Sequence, residues 1–329
     1  MKKIDDETID VLLATYNTKI EYLKEQIDSI LNQTYKNIHL IISDDNSPNE
    51  QVPKILKEYQ EQDERITLYI QEKNLGYNRN FEFLLKKSQA KYLMFSDHDD
   101  IWYPEKVEKT LKKMKENDVD LVYCNCHHIN EKGEIIKSNY FKYKNVPLIN
   151  GKSKIALSRC IGIGCSQMIT KKVRDKMLPF TDQVIAHDWL ASFISNELKG
   201  MTYIEEPLFG YRLHNSNVFG GRSLSQNLSK WKEENGTDYK AYLKYRNKKV
   251  IDIAYLYGAI MEKQYSTSEK NKKYIEELIK YYENLKKSKY INFNIFKYFK
   301  FLAGKNLLKK EIKELVIFHF PILGFLKYK

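Results

Sequence analysis

The chain has 329 residues, 42% hydrophobic and 30% charged, enough for one large domain or two ordinary ones with ample core. Its formal net charge of +12 is uneven: residues 222–329 hold 24 Lys+Arg against 11 Asp+Glu, or +13, leaving about −1 for the first 221. Four cysteines do not make a disulfide scaffold, acidic residues break up any signal core near the N-terminus, and no stretch approaches the ~18 to 20 apolar residues of a membrane span.

In chain order, "IDVLLATYN" reads as a short apolar strand, followed by a helix from Tyr22 to Asn32 with Leu23, Ile27, Ile30 and Leu31 on one face. "IHLIISDDNS" is the next strand and "VPKILKEYQEQ" the next helix, then "RITLYI" and "NRNFEFLLKKS", then "KYLMFSD" with a helix from Pro104 to about Asn117. "DLVYCNCHHI" is a further strand, in which Cys124 and Cys126 alternate as packing residues. "MTYIEE" reads as a late strand, with Tyr211, Arg212 and His214 placed after it. Continuous apolar strands spaced by amphipathic helices predict an α/β fold, a Rossmann-like and mostly parallel sheet with helices on both faces.

Carboxylates gather where these strands end. Asp44 and Asp45 close the second strand; Asp97, Asp99 and Asp100, with His98 between them, follow the fourth in "MFSDHDDIWYPEK". Ligands of open α/β sheets sit beyond the carboxyl ends of the strands, so both clusters are expected to converge on one crevice. A cap for the helix opening at Pro104 is one reading of the acidic turn; a divalent cation holding a phosphate is the other. The glycine fingerprint of a dinucleotide fold is absent after the first strand, where "ATYNTK" stands.

"LLATYN", "IISDDNS", "NLGYNRN", "SDHDDIWYPEK", "IGCSQMIT", "AHDW" and "YRLHNSN", in this order and spacing, resemble the family 2 glycosyltransferases. The nearer likeness is to rhamnosyltransferase-type enzymes of bacterial capsule and cell-wall polysaccharide synthesis. The resemblance covers roughly residues 8 to 220. It implies a glycosyltransferase-A fold, a nucleotide-sugar donor, Mg2+ or Mn2+, and inversion at the anomeric carbon.

Residue by residue, Asp97 and Asp99 match the D-x-D that links metal to donor diphosphate, and hard carboxylate oxygens suit Mg2+ or Mn2+. Thr15, Tyr16, Asn17 and Asp45 match the segments that hold a pyrimidine nucleoside, although an Asx turn also accounts for "DDNS". Gly76 permits an unusual backbone angle in the loop expected to close over the nucleotide, where Arg79 would meet a phosphate or stand as a surface cation. Asp188 matches the general base; a carboxylate there also makes a helix cap. His214 resembles the late histidine near the diphosphate, as metal ligand or leaving-group contact. "IGIGCSQMIT", with Gly162, Gly164, Cys165 and Ser166, is similar to the acceptor side.

A catalytic domain of residues 1–221 and a basic helical region of residues 222–329 are therefore expected. "YKAYLKYRNKKVIDIAYLYGAIMEKQ" and "KYIEELIKYYENLKKS" have helical spacing. "KNLLKKEIKELVIFHF" reads either as packing on the first domain or as a helix on an anionic membrane surface. The expected protein is cytoplasmic, peripheral on the inner face of the cell membrane, with a glycan or lipid-linked glycan acceptor and no nucleic acid partner. The processive glutamine–arginine–tryptophan signature is missing, since "QNLSKW" has the wrong spacing, so one sugar per encounter is expected. A sugar nucleotidyltransferase should show a glycine- and base-rich phosphate loop near residue 15, and a non-catalytic nucleotide-sugar-binding protein would lack a base.

Overall fold

The structure, a computed structural model, describes residues 7–144, 146–157, 159–214, 258, 265 and 268–287. They fall into two compact units, one running to Ala156 and from Cys160 to Leu213, the other holding Leu157, Arg159, His214 and the described residues beyond. The first unit opens with β1 (Ile9–Thr15), α1 (Ile20–Leu31), β2 (Ile38–Asp44), α2 (Gln51–Gln62), β3 (Ile66–Ile70), α3 (Tyr77–Lys87) and β4 (Tyr92–Ser96). It continues with β5 (Ile101–Trp102), α4 (Lys106–Asn117), β6 (Leu121–Ile129), β7 (Ile135–Lys137), α5 (Tyr140–Lys144), β8 (Gln167–Thr170), α6 (Lys171–Met177), α7 (His187–Glu197) and β9 (Met201–Arg212).

The alternation in β1 explains why helices cover both faces of the sheet. Ile9, Val11 and Leu13 share one core with Leu23, Ile27 and Ile30 of α1 and with Val107, Leu111 and Met114 of α4. On the other face Phe95 of β4 packs edge-on against Phe81 of α3, with ring centroids 5.6 Å apart. Strands buried on both sides read as continuous apolar runs, which is how β1, β2 and β4 read.

The sheet order is β3-β2-β1-β4-β8-β6-β9-β5, with β7 paired to β6. The first four strands are parallel, as expected, so Thr15, Asp44 and Ser96 end on one edge. Beyond β4 the sheet is mixed: β8 is antiparallel to β4 and β6, β6 and β9 are parallel, and β5 is antiparallel to β9. This reversal brings the start of β8, and the short 3-10 turn Gly164–Ser166 before it, to the edge where β4 ends.

Two details differ from the expected order. The strand read in "MTYIEE" extends to Arg212, so Tyr211 and Arg212 lie inside β9 rather than after it. Pro207, set opposite Asn125 where the ladder shifts register, is what makes that strand hard to read. Within "DIWYPEK" two residues form β5, which borrows its partners Phe209 and Gly210 from far along the chain. In the second unit, Glu269–Lys287 forms α8, in agreement with the periodicity of "KYIEELIKYYENLKKS". The expected helices in "YKAYLKYRNKKVIDIAYLYGAIMEKQ" and "KNLLKKEIKELVIFHF" lie outside the described residues, Gly258 apart. No described helix is long and apolar enough to cross a membrane.

Candidate active site

The end of β2 is a closed hydrogen-bonded turn. Asp44 accepts from the Thr15 hydroxyl (2.8 Å), the Ser47 hydroxyl (2.6 Å) and the Ser47 N–H (3.0 Å), and Ser47 Oγ in turn accepts from the Asn17 N–H (2.8 Å). Asn17 has a left-handed backbone, with φ 46°. Thr15 is thus buried, while Tyr16 beside it is 45% exposed. Asp45 is also buried and receives the N–H groups of Leu75 (2.6 Å) and Gly76 (2.9 Å). Gly76 is needed for its φ of +80°, since a Cβ there would meet nothing within 4 Å.

The end of β4 is built differently. Asp97 is partly accessible, Asp99 and Asp100 are buried, and His98 turns back toward the Ala14 carbonyl (3.3 Å). Burial, then the charge of Asp99, pushes the Asp97 carboxyl up to about 6; the same causes push Asp100 well above the usual carboxylate range. Asp100 Oδ1 accepts the Arg212 N–H (3.1 Å), but Oδ2 is buried with no hydrogen-bond partner among the described residues. Ligand atoms of Asp97, Asp100 and Cys165 lie within 4.8 Å of one another. Asp97 thus has Asp100 and Cys165 as near neighbours, and the charge of Asp99 also reaches it. His214 belongs to the second unit, apart from this description.

Cys165 was read only as part of a small-residue turn; the antiparallel entry of β8 makes it a neighbour of the acidic turn. Its thiol is held far up its range by burial and by Asp100 and Asp97, so it serves as an S–H group rather than a thiolate. Two further residues lie within the quoted motifs but were given no role there. Lys106 is wholly buried, donates to the Cys165 carbonyl (2.6 Å), and sits 3.6 Å from the Trp102 ring centroid and 4.2 Å from that of Phe209. Arg212, also fully buried, donates to the carbonyls of Asp99 (2.8 Å) and Glu131 (2.9 Å), pairs with Glu25, and lies over Tyr22. The lysine in "WYPEK" and the arginine in "YRLH" gave no more signal than any helix-start or strand-end cation.

Asp188 is the second residue of α7, so the cap position falls to Ala186 and the carboxylate does not cap the helix; its Oδ1 accepts the neighbouring Trp189 N–H (2.8 Å) within the first turn. Its charge contributes to the upward shift of Asp97, and a Cβ on Gly164 would come 3.5 Å from its own Cβ. Asp188, the Gly164 turn and the acidic turn are therefore neighbours at one edge of the sheet. Gly164 permits that approach: a Cβ would also meet His187 Nε2 at 2.8 Å.

The segment expected to close over a nucleotide has other contacts. Tyr77 OH donates to the Ile185 carbonyl (2.5 Å), and Asn78 to those of Val184 (2.8 Å) and Ile185 (2.9 Å). The Arg79 guanidinium engages Glu82 (2.6 Å), the Phe180 carbonyl (2.9 Å) and Asp182.

As to a divalent ion, buried carboxyls with raised proton affinity and an orphaned Oδ2 are what a cation would relieve. The acidic turn fits one by the chemistry of its oxygens; the Cys165 thiol, kept protonated, does not add a ligand for a hard ion.

A profile of Glycosyl transferase family 2 matches residues 10–178, from β1 to the end of α6. The chain is 33% identical over 233 residues to an uncharacterised glycosyltransferase of Methanocaldococcus jannaschii, spanning 69% of this chain and 78% of that protein. It is 31% identical over 218 residues to the O-antigen biosynthesis glycosyltransferase WbnJ of Escherichia coli, spanning 64% of this chain and 82% of that one. The match to a longer uncharacterised glycosyltransferase of Rickettsia conorii covers 41% of this chain but 22% of that protein. Among solved structures, S. aureus TarS 1-349 in complex with UDP-GlcNAc superposes with a TM-score of 0.58 at 13% identity, over 94% of this chain and 80% of that one. That likeness is one of fold, and the mixed sheet is of the glycosyltransferase-A type. Profile, relatives and fold agree: the chain belongs to glycosyl transferase family 2.

Proposed function

We propose that the protein is an inverting, non-processive glycosyltransferase that moves one sugar, rhamnose as first choice, from a pyrimidine nucleoside-diphosphate donor to a glycan acceptor. The observation that carries this reading is the meeting of the acidic turn Asp97–Asp100 and Asp188 across the Gly164 turn. The UDP-GlcNAc complex of TarS supports a uridine or thymidine diphosphate donor, and the O-antigen role named for WbnJ supports surface polysaccharide synthesis. The +13 charge of residues 222–329 supports attachment to an anionic membrane surface, where the acceptor would be lipid-linked.

The acceptor hydroxyl oxygen forms the new bond to the anomeric carbon while Asp188 takes its proton. The bond from that carbon to the diphosphate oxygen breaks, and the nucleoside diphosphate leaves with the electron pair. Attack opposite the leaving group inverts the anomeric configuration. Asp97 and Asp99 would hold Mg2+ or Mn2+, which neutralises charge on the leaving diphosphate. Tyr16 and Asn17 are exposed beside the Asp44 turn, within which Asp45 fixes the loop at Gly76 and so the floor of the nucleoside site.

Asp188→Asn keeps the shape and an oxygen for the Trp189 N–H but removes the proton acceptor. It is expected to bind donor normally while turnover falls by roughly 10² to 10⁴. Calorimetry for the donor and nucleoside diphosphate release for turnover measure the two. Full activity of this variant, or a product of retained configuration by NMR, rejects the reading.

A further inference from the structure

The first residue of α7 has a backbone N–H that no intrahelical carbonyl can accept, and the residue before it, Ala186, has no side-chain oxygen to offer. The missing cap comes from another helix. Asn78 Oδ1 accepts the His187 N–H (3.1 Å), while its amide nitrogen donates to the carbonyls of Val184 (2.8 Å) and Ile185 (2.9 Å). One side chain thus fixes three of the four residues that precede Asp188. Tyr77 OH adds a bond to the Ile185 carbonyl. Two residues upstream, the N–H groups of Leu75 and Gly76 end on the buried carboxylate of Asp45. Residues 75–78 therefore run without a break from the donor-side turn of β2 to the approach of Asp188.

We infer that Asn78 is a positioning residue for Asp188, and that it ties the placement of the base to the Asp45 side of the site. The inference rests on the reading of Asp188 as general base. Proton transfer needs the carboxylate within hydrogen-bond reach of the acceptor hydroxyl, and a misplacement of about 1 Å costs on the order of 10² in rate. His187 adds a geometric reason for an external clamp. Its ring is buried, stacked on Phe81 with centroids 3.8 Å apart, and neither ring nitrogen has a hydrogen-bond partner among the described residues, so packing alone anchors the side chain next to Asp188.

A double-mutant cycle on the full-length chain tests this. Asn78→Ala is expected to lower turnover, read as UDP release from a UDP-sugar, by about 10²-fold, with the Kd for UDP and Mn2+ changed by less than about twofold. In the Asp188→Asn background the same substitution is expected to cost less than about threefold, because a residue acting through Asp188 has nothing left to position. Tyr77→Phe, which removes one bond and keeps the ring, should give a smaller loss with the same non-additivity. Equal losses from Asn78→Ala in both backgrounds, or a fall in UDP affinity as large as the fall in turnover, overturn the role of Asn78. Full activity of Asp188→Asn alone overturns instead the base reading on which it stands.

Discussion

Asp44 and Asp45 at the end of β2 receive five hydrogen bonds between them, from Thr15, Ser47, Leu75 and Gly76. Asp97, Asp99 and Asp100 at the end of the neighbouring β4 are more crowded: one buried oxygen has no partner among the described residues, and burial with like charge raises both Asp97 and Asp100, as it also raises Asp45 against its two N–H donors. Both turns look alike in the sequence, as paired acids after an apolar strand. In the first, the protein itself supplies donors to both carboxylates. In the second, Lys106 donates to the Cys165 carbonyl and Arg212 to the Asp99 carbonyl, while one oxygen of Asp100 has no hydrogen-bond partner among the described residues. A carboxylate that is expensive to bury and incompletely satisfied is a better guide to function than a carboxylate as such.

The contrast can be broken first at the second turn. Asp99→Asn is expected to reduce transfer by about 10² or more. The apparent Tm without metal should rise, because the charge of Asp99 is among the causes raising both Asp97 and Asp100. A transfer assay with Mn2+ and a thermal scan in EDTA measure the pair, and a drop in both would place Asp99 with the scaffold.

At the first turn the opposite sign is expected. Asp45→Asn sets an amide against two backbone N–H groups of which it can accept from one side only, and should destabilise the fold by about 2 to 3 kcal/mol. Denaturant unfolding reads this; an unchanged midpoint would mean the carboxylate is not scaffold.

The smallest effect concerns His187. Burial lowers its pKa to about 4, so the unfolded chain binds a proton between about 6.5 and 4 that the folded chain does not. The associated stability is full at neutral pH and is lost as pH falls. His187→Phe should shrink the loss between pH 7 and pH 5 by about 1 to 2 kcal/mol. His128, also lowered to about 4, and His127, lowered by burial, keep the same sign and contribute to what remains.

Legibility followed the spacing of the contacts. From Ile9 to Ser96 each strand is a mainly apolar run, broken only by residues such as Asp10, His39 and Thr67, and each helix an amphipathic one, so periodicity located them within a few residues. The motif residues Asp97, Asp188 and Gly76 stand at the strand end, helix start and positive-φ turn that their types imply. What could not be read depends on partners distant in sequence. β5 exists because Phe209 and Gly210 arrive beside it, Cys165 faces Asp100 because β8 runs antiparallel, and Asn78 caps a helix that begins 109 residues later. Arg79 shows the same limit from the other side: its charge was visible, its engagement by Glu82 and Asp182 was not.

Arg212 sets an order of assembly. The four parallel strands and their helices are complete by Ser96, and their contacts are close in sequence, so this half can form early. The acidic turn that follows them stays without Arg212 until the far end of β9 docks, since Asp99 and Asp100 are bonded from Arg212, 113 and 112 residues later. During synthesis from the N-terminus, the sheet would therefore precede its own active site by more than a hundred residues of chain. A nascent polypeptide stopped short of β9 would carry a folded frame with an unset acidic turn, and so would be unable to act on nucleotide sugar before the rest of the domain has emerged.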